Sequence, residues 1–305
     1  MLGFLLRRLG GAAVVILAIS VLTFSMIHLV PGDPVAIMLG EQATAARLAT
    51  LRHQLGRDRP LYVQYGAFLI NAVQGNFGNS IRSGQPVLQE VLRQIPATLW
   101  LALSAMAVAA PLGVLLGTVA ATTRSRALEF LATTVPLVGL SMPTFWSGLL
   151  LILLFGLQLR WLPVVGNVGV TSLIMPAIAL ALPAAAVIGR MTRATLVEVL
   201  AQDYVRTARA KGVLERVVTY KHALRNALIP TVTIIGLQFG SLIGGAVIVE
   251  SVFARPGLGR LAVNSILTRD FPMVQAVVLF GAVGYVVINL LVDLLYGLLD
   301  PRIDQ

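Results

Sequence analysis

Residues 189–230 read GRMTRATLVEVLAQDYVRTARAKGVLERVVTYKHALRNALIP, a polar interval flanked by apolar runs at 173–188 and 228–249. Its basic residues are Arg190, Arg193, Arg206, Arg209, Lys211, Arg216, Lys221 and Arg225, set against Glu198, Asp203 and Glu215, with Gly212 near the middle and Pro230 at the end. Basic residues between spans favour the cytoplasmic side, so this partly helical loop is expected to face inward. The rest of the topology is read outward from it.

Composition agrees with a membrane protein. The 305 residues are 57% hydrophobic and 12% charged, with a mean hydropathy of +0.86. An ordinary soluble domain carries about twice that charged fraction, roughly 25%. Apolar runs near the roughly 20 residues needed to cross a bilayer fall at 9–30, 97–121, 131–154, 171–188, 228–249 and 274–299. The opening MLGFLLRRLG has the charge order of a signal peptide but no clear small-residue cleavage site, so it reads as an uncleaved first helix. Six helices then place both termini in the cytoplasm. Arg7, Arg8, Arg124, Arg126, the basic loop and Arg302 lie inside, against Arg160, Arg255, Arg260 and Arg269 in short outer loops. The cluster Pro31-Gly32-Asp33-Pro34 stops the first span, and 31–94 forms a long outer loop with helix-prone 43–54 and a turn at 75–80. The predicted organisation is 1–94, the first helix plus that loop, and 95–305, a five-helix core including the loop 189–227.

Several chemistries are disfavoured. The net charge of +10 clusters beside spans rather than on an independently folding basic domain, which speaks against nucleic acid. With no cysteine, disulfides and thiolate sites are excluded. No GxxxxGK[ST] loop occurs, so no ATP site is recognisable. No serine has an identifiable base and orienter, His53 and His222 fall in different compartments, and His28 reads as a lone interfacial histidine. Asn289 and Asp293, four apart late in the last span, read as packing or anchoring groups. The prolines of spans two to four and Gly236, Gly240 and Gly244 read first as kinks and close helix contacts, second as parts of a pathway.

Within the loop, 198–210 can form a helix that Gly212 ends before a second piece at 213–225. Arg206 and Arg209 share one face and Tyr204 and Ala208 another, a mixed surface suited to lipid headgroups or to a protein partner. Glu250, with Arg255 and Arg260 beyond it, reads either as local capping or as an outer gate or binding-protein contact.

The stretch Asp203-Tyr204-Val205-Arg206-Thr207-Ala208-Arg209-Ala210-Lys211-Gly212, followed by His222-Ala223-Leu224-Arg225-Asn226-Ala227-Leu228-Ile229-Pro230, resembles the EAA signature of bacterial ABC-importer permeases. In wording it resembles the dipeptide and oligopeptide branch of the peptide and nickel permease family. Arg206 and Thr207 stand where the general signature has glutamate and alanine, a substitution common in that branch. Leu6-Arg7-Arg8 with Leu29-Val30-Pro31-Gly32-Asp33-Pro34, Gly75-Asn76-Phe77-Gly78-Asn79-Ser80, Val249-Glu250-Ser251-Val252-Phe253 with Pro256-Gly257-Leu258-Gly259, and Asp293-Leu294-Leu295-Tyr296 with Asp300-Pro301-Arg302 carry the resemblance along the chain.

The resemblance implies an all-α, six-helix, type I ABC-importer permease of the bacterial inner membrane, not itself an enzyme. It implies that Tyr204, Val205, Arg206, Thr207, Ala208, Arg209, Ala210, Lys211 and Gly212 form a coupling helix and turn docking on an ATPase. Expected partners are two ABC ATPase subunits or domains carrying ATP and Mg, a second homologous permease, an extracytoplasmic peptide-binding protein and a peptide substrate. Glutathione and nickel are the alternative cargoes. The chain itself is expected to bind no cofactor.

Overall fold

A computed structural model describes residues 2–29, 36, 44–54, 56–164 and 169–299. The expected stop at 31–34, the carboxyl-terminal segment 300–302 and the side chains of Asp293 and Tyr296 lie outside what is described. Among the described residues the long elements are all helices, and no strand forms. They are α1 (Leu2–Leu29), α2 (Ala45–Gln54), α3 (Leu61–Val73), α4 (Val87–Thr122), α5 (Arg126–Ser141), α6 (Thr144–Gln158), α7 (Thr171–Leu200), α8 (Asp203–Ala210), α9 (Glu215–Val252), α10 (Leu258–Leu267) and α11 (Phe271–Leu299). Both α6 and α9 include π-helical turns, at Ile152–Gln158 and Val218–Ala223.

Five helices are long and apolar enough to cross a bilayer, and α5 with α6 makes a sixth if that pair counts as one span. The sequence predicts one helix over 131–154; instead α5 and α6 meet at 104°. Pro143 has no N–H to continue the helix and holds the preceding Met142 extended, at φ −82 and ψ 124, so the helix breaks there. Pro136, Pro176, Pro183 and Pro230 stay inside helices.

The chain divides into two compact units. One comprises 98–259 and 288–305, and its core is built on α7, whose membrane-length window is 67% buried. Met175, Ala179, Leu180, Ala184, Ala185 and Ile188 of α7 pack with Leu101, Ala102, Ala105 and Ala109 of α4 and with Leu242, Ala246 and Val249 of α9. In lipid the drive for such packing is close van der Waals fit, which small residues permit. Gly117 shows how close: a Cβ there would lie 2.4 Å from the Gly189 carbonyl oxygen.

The other unit comprises 1–97 and 260–287. Here α3 lies on the C-terminal half of α1 through a Ser20–Tyr65 hydroxyl hydrogen bond of 2.8 Å and through Phe24, which stands 5.4 Å from Tyr65 and 6.0 Å from Phe68 between ring centres. The loop after α3 turns on Gly75, Gly78 and Gly84, all at positive φ. Asp270, buried at the start of α11, then clamps that loop by accepting from the Ser80 hydroxyl at 2.5 Å and the Ile81 amide at 3.2 Å.

Candidate functional site

The basic interval is a helical hairpin hung between α7 and α9. Helix α7 runs on to Leu200, well past the predicted span end at 188, and the predicted helix over 198–210 is broken at Ala201 and Gln202. Gln202 is extended, at φ −72 and ψ 152, and α8 starts afresh with Asp203 in its first turn, where a carboxylate favours the helix dipole.

Helix α8 is anchored chiefly by Val205. Val205 is fully buried while Tyr204, Arg206, Thr207, Arg209 and Ala210 are exposed and Ala208 is half-buried. Tyr204 extends the anchor, its hydroxyl receiving a 2.7 Å hydrogen bond from the Asn226 amide. The Arg206–Asp203 pair, 3.7 Å apart on a helix surface, is mostly exposed and adds little.

Helix α8 ends in a complete Schellman turn. The Gly212 amide donates to the Arg209 carbonyl at 2.9 Å, and the Val213 amide reaches back to the Ala208 carbonyl at 3.2 Å. That wrap requires the residue after Lys211 to be left-handed, and Gly212 has φ +77. Arg209 closes the turn from outside, with Nη2 and Nε on the two Glu215 oxygens at 2.7 and 3.1 Å. The Glu215 carboxylate raises the Arg209 pKa above its usual value. At this exposure even a bidentate pair contributes no more than about 1 kcal/mol.

The hairpin's base is tied to the core. The Thr195 hydroxyl on α7 donates to the Ala227 carbonyl on α9 at 3.1 Å, beside the buried trio Leu196, Ala223 and Ala227. Two residues earlier, Arg193 Nη2 meets Glu129 of α5 at 2.8 Å. Helix α8 is thus held at Val205 and Tyr204, beside the tied ends of α7 and α9. What remains outward is mixed: Tyr204, Leu214 and Tyr220, 40%, 76% and 60% exposed, beside Arg206, Lys211, Arg216 and Lys221.

At the far end of α9, Glu250 is fully buried. Its carboxylate accepts from the Thr98 hydroxyl at 2.6 Å and the Gly259 amide at 2.8 Å, while Thr98 Oγ1 also accepts from the Leu258 amide at 2.9 Å. Gly257 is packed so tightly that a Cβ would lie 2.1 Å from Glu250 Oε1. Arg255 is 5% exposed and its Nη1 donates to the Ser172 carbonyl and hydroxyl at 3.0 and 3.1 Å. Burial lowers its pKa, opposed by the Glu250 charge. Arg260 is half-buried in the other unit.

Sequence reasoning passed over Thr98, Glu129, Thr195, Glu215 and Asn226 as partners. Two of these had a local signal: Glu215 is one of the few acids in the basic interval, and Asn226 is an amide in the quoted motif four residues before Pro230. Among the described residues no three His, Asp or Glu side chains gather as a metal site.

Residues 113–305 match the family described as binding-protein-dependent transport system inner membrane component, and residues 1–102 match the N-terminal region of such a membrane component. The glutathione transport system permease protein GsiC of Escherichia coli (strain K12) is 45% identical over 303 residues, 99% of each chain. The proteins of the same name from Shigella dysenteriae serotype 1 (strain Sd197) and Salmonella paratyphi A show the same identity and coverage. Among solved structures, an amino acid ABC transporter crystallised with histidines aligns at a TM-score of 0.54 and 19% identity, over 68% of this chain and 93% of that one, a likeness of fold.

These relatives correct the expected branch. The loop wording suggested dipeptide and oligopeptide permeases, but the full-length likeness is to permeases named for glutathione. The physical reason is that a surface hairpin such as 203–230 is shaped by its turn and anchors, which carry no record of what crosses the membrane elsewhere.

Proposed function

We propose that this chain, which belongs to the family of binding-protein-dependent transport system inner membrane components, carries glutathione as the permease subunit of its importer. Its class is not in doubt: it is a multi-pass permease component of an ABC importer of the peptide and nickel group, a transport component rather than an ATPase. The observation that carries the cargo reading is 45% identity, across 99% of both chains, to permeases named for glutathione transport. A match of that extent includes the spans and outer loops, where a route for cargo must lie, as well as the hairpin.

On this reading the hairpin is the input. Tyr204, Val205, Arg206, Thr207, Ala208, Arg209, Ala210, Lys211 and Gly212 form the element that docks on a cytoplasmic ATPase, and the ties through Thr195 and Asn226 hand its movement to α7 and α9. The exposed mix of Tyr204, Leu214 and basic side chains suits a protein groove with an acidic rim. Both termini are cytoplasmic on this reading, from the charge bias of Arg7, Arg8, Arg124 and Arg126 beside the apolar runs. Two ATPases, a second permease and an extracytoplasmic binding protein complete the importer in a bacterial inner membrane. Glu250 and Arg255 brace the outer corner that moves when the pathway opens.

The test is uptake in cells lacking this subunit and in cells with it restored, offering labelled glutathione, a dipeptide, a longer peptide and nickel in parallel. Restoration of glutathione uptake alone, lost again when the ATPases are deleted, is the expected result. Restored dipeptide or nickel uptake with glutathione unchanged would overturn the cargo assignment while leaving the permease class standing.

A further inference from the structure

On the reading above that this permease works with an extracytoplasmic binding protein, we propose that the loop tip 81–85 and the turn between α10 and α11 form one docking surface for an acidic face of that protein. It is the partner on which the family, by its description, depends. The surface lies wholly within the unit of 1–97 and 260–287.

The motif Gly75-Asn76-Phe77-Gly78-Asn79-Ser80 is an anchor, and what it anchors is the tip. Phe77 lies 5.6 Å from Phe280 of α11 between ring centres, and the buried Asp270 accepts from the Ser80 hydroxyl at 2.5 Å and the Ile81 amide at 3.2 Å. Ser80 Oγ in turn accepts from the Arg82 and Ser83 amides at 3.2 and 3.0 Å. The Ser80 amide donates to the Gln85 carbonyl at 2.9 Å, and the Gly84 amide to the Ser80 carbonyl at 3.0 Å. The backbone is thus fixed from within, while Arg82, Ser83, Gly84 and Gln85 are exposed. Across the clamp Arg269, also exposed, is held left-handed at φ 55, a conformation costly for a residue with a side chain.

Charge and shape together select a protein. Arg82 follows Ile81 and Arg269 precedes Asp270, so the clamp brings two arginines to neighbouring positions. Neither guanidinium has a partner among the described residues. In 74–97 and 260–287 the only acids are Glu90, which accepts from the Ser83 hydroxyl, and Asp270, buried in the clamp. Ile266 and Leu267, in the last turn of α10, add apolar contact area at 55% and 77% exposed. Unpaired arginines beside exposed aliphatic side chains suit an acidic protein surface. A fluid headgroup layer imposes no shape, so a loop fixed in this way gains nothing from lipid, whereas a folded partner binds more tightly to a surface already ordered.

The test titrates the importer complex in lipid nanodiscs with the importer's own binding protein, purified and fluorescently labelled, across a salt series. R82Q/R269Q is expected to weaken binding about tenfold and to flatten its salt dependence. R124Q/R126Q, which removes equal charge beyond the other end of α4, leaves both unchanged. D270N, which loosens the clamp but keeps both arginines, weakens binding at every salt concentration with the wild-type slope. Yield and size-exclusion profile of the complex are the folding controls. Wild-type affinity and slope in R82Q/R269Q, or equal losses in R124Q/R126Q, would overturn the surface and leave the importer reading intact; wild-type affinity in D270N would overturn the role of the clamp. No binding to the wild-type complex would overturn the importer reading as well. A fall in phosphatidylglycerol retained by R82Q/R269Q, counted by native mass spectrometry, with binding-protein affinity unchanged, would make lipid the occupant instead.

Discussion

Substitution of Gly212 isolates backbone conformation at the hairpin from everything else. Gly212 sits at φ +77 and a Cβ placed on it meets nothing within 4 Å, so alanine there brings no clash, only the cost of the left-handed region. That cost is about 1–2 kcal/mol for an L-residue, which divides the population of the closed turn by about 5–30. Asparagine tolerates the region better and β-branched valine worse, giving the order Gly, Asn, Ala, Val. The assay is uptake by the importer reconstituted in vesicles, with amide exchange over 203–213 measured on the same preparations. Exchange at the Gly212 and Val213 amides is expected to quicken in that order, and uptake to fall about fivefold or more for alanine. Valine with quickened exchange and unchanged uptake would refute transmission through the turn; asparagine no better than valine would refute the conformational reasoning.

Two further outcomes follow from packing. Thr98→Val removes the hydroxyl that joins Glu250 to the Leu258 amide; at about 1–3 kcal/mol for the loss of that buried link, the unfolding free energy in detergent should fall by the same amount and the melting midpoint with it, and an unmoved midpoint would show that the knot is not needed. Gly117→Leu cannot be accommodated by side-chain movement, because its Cβ would meet the Gly189 carbonyl oxygen at 2.4 Å and the Arg193 amide nitrogen at 3.0 Å. It should abolish assembled complex, whereas Gly284→Leu, with nothing within 4 Å, should not. Comparable yields of the two by size-exclusion chromatography would contradict the close crossing of α4 and α7.

The helical hairpin was legible because its signals are local. Gly212 flanked by helix-forming runs predicts a C-terminal cap, and the structure has the left-handed turn there. The break at Gln202 was not legible, since AQDY reads as continuous helix and the interruption is visible only in the backbone. Pro143 was visible as a kink in a span, but a proline alone does not set an angle, and the 104° bend depends on what surrounds it. Glu250 was read as either a capping or a gating residue; its partners Thr98 and Gly259 lie 152 and 9 residues away, and the first of these distances is beyond any sequence window.

Sequence by itself determined that this chain is built for a bilayer, roughly where its long apolar helices lie, and where the basic hairpin falls. Those properties follow from hydrophobic run length and charge placement, which any residue contributes independently of its distant neighbours. Tertiary structure alone decided that α7 is the buried axis of its unit, that Gly117 and Gly189 let helices touch, and that Thr195, Asn226 and Glu215 hold the hairpin. Such pairings depend on which faces meet after folding, and in lipid, where apolar surface alone does not choose a partner, small-residue fit and a few hydrogen bonds make that choice.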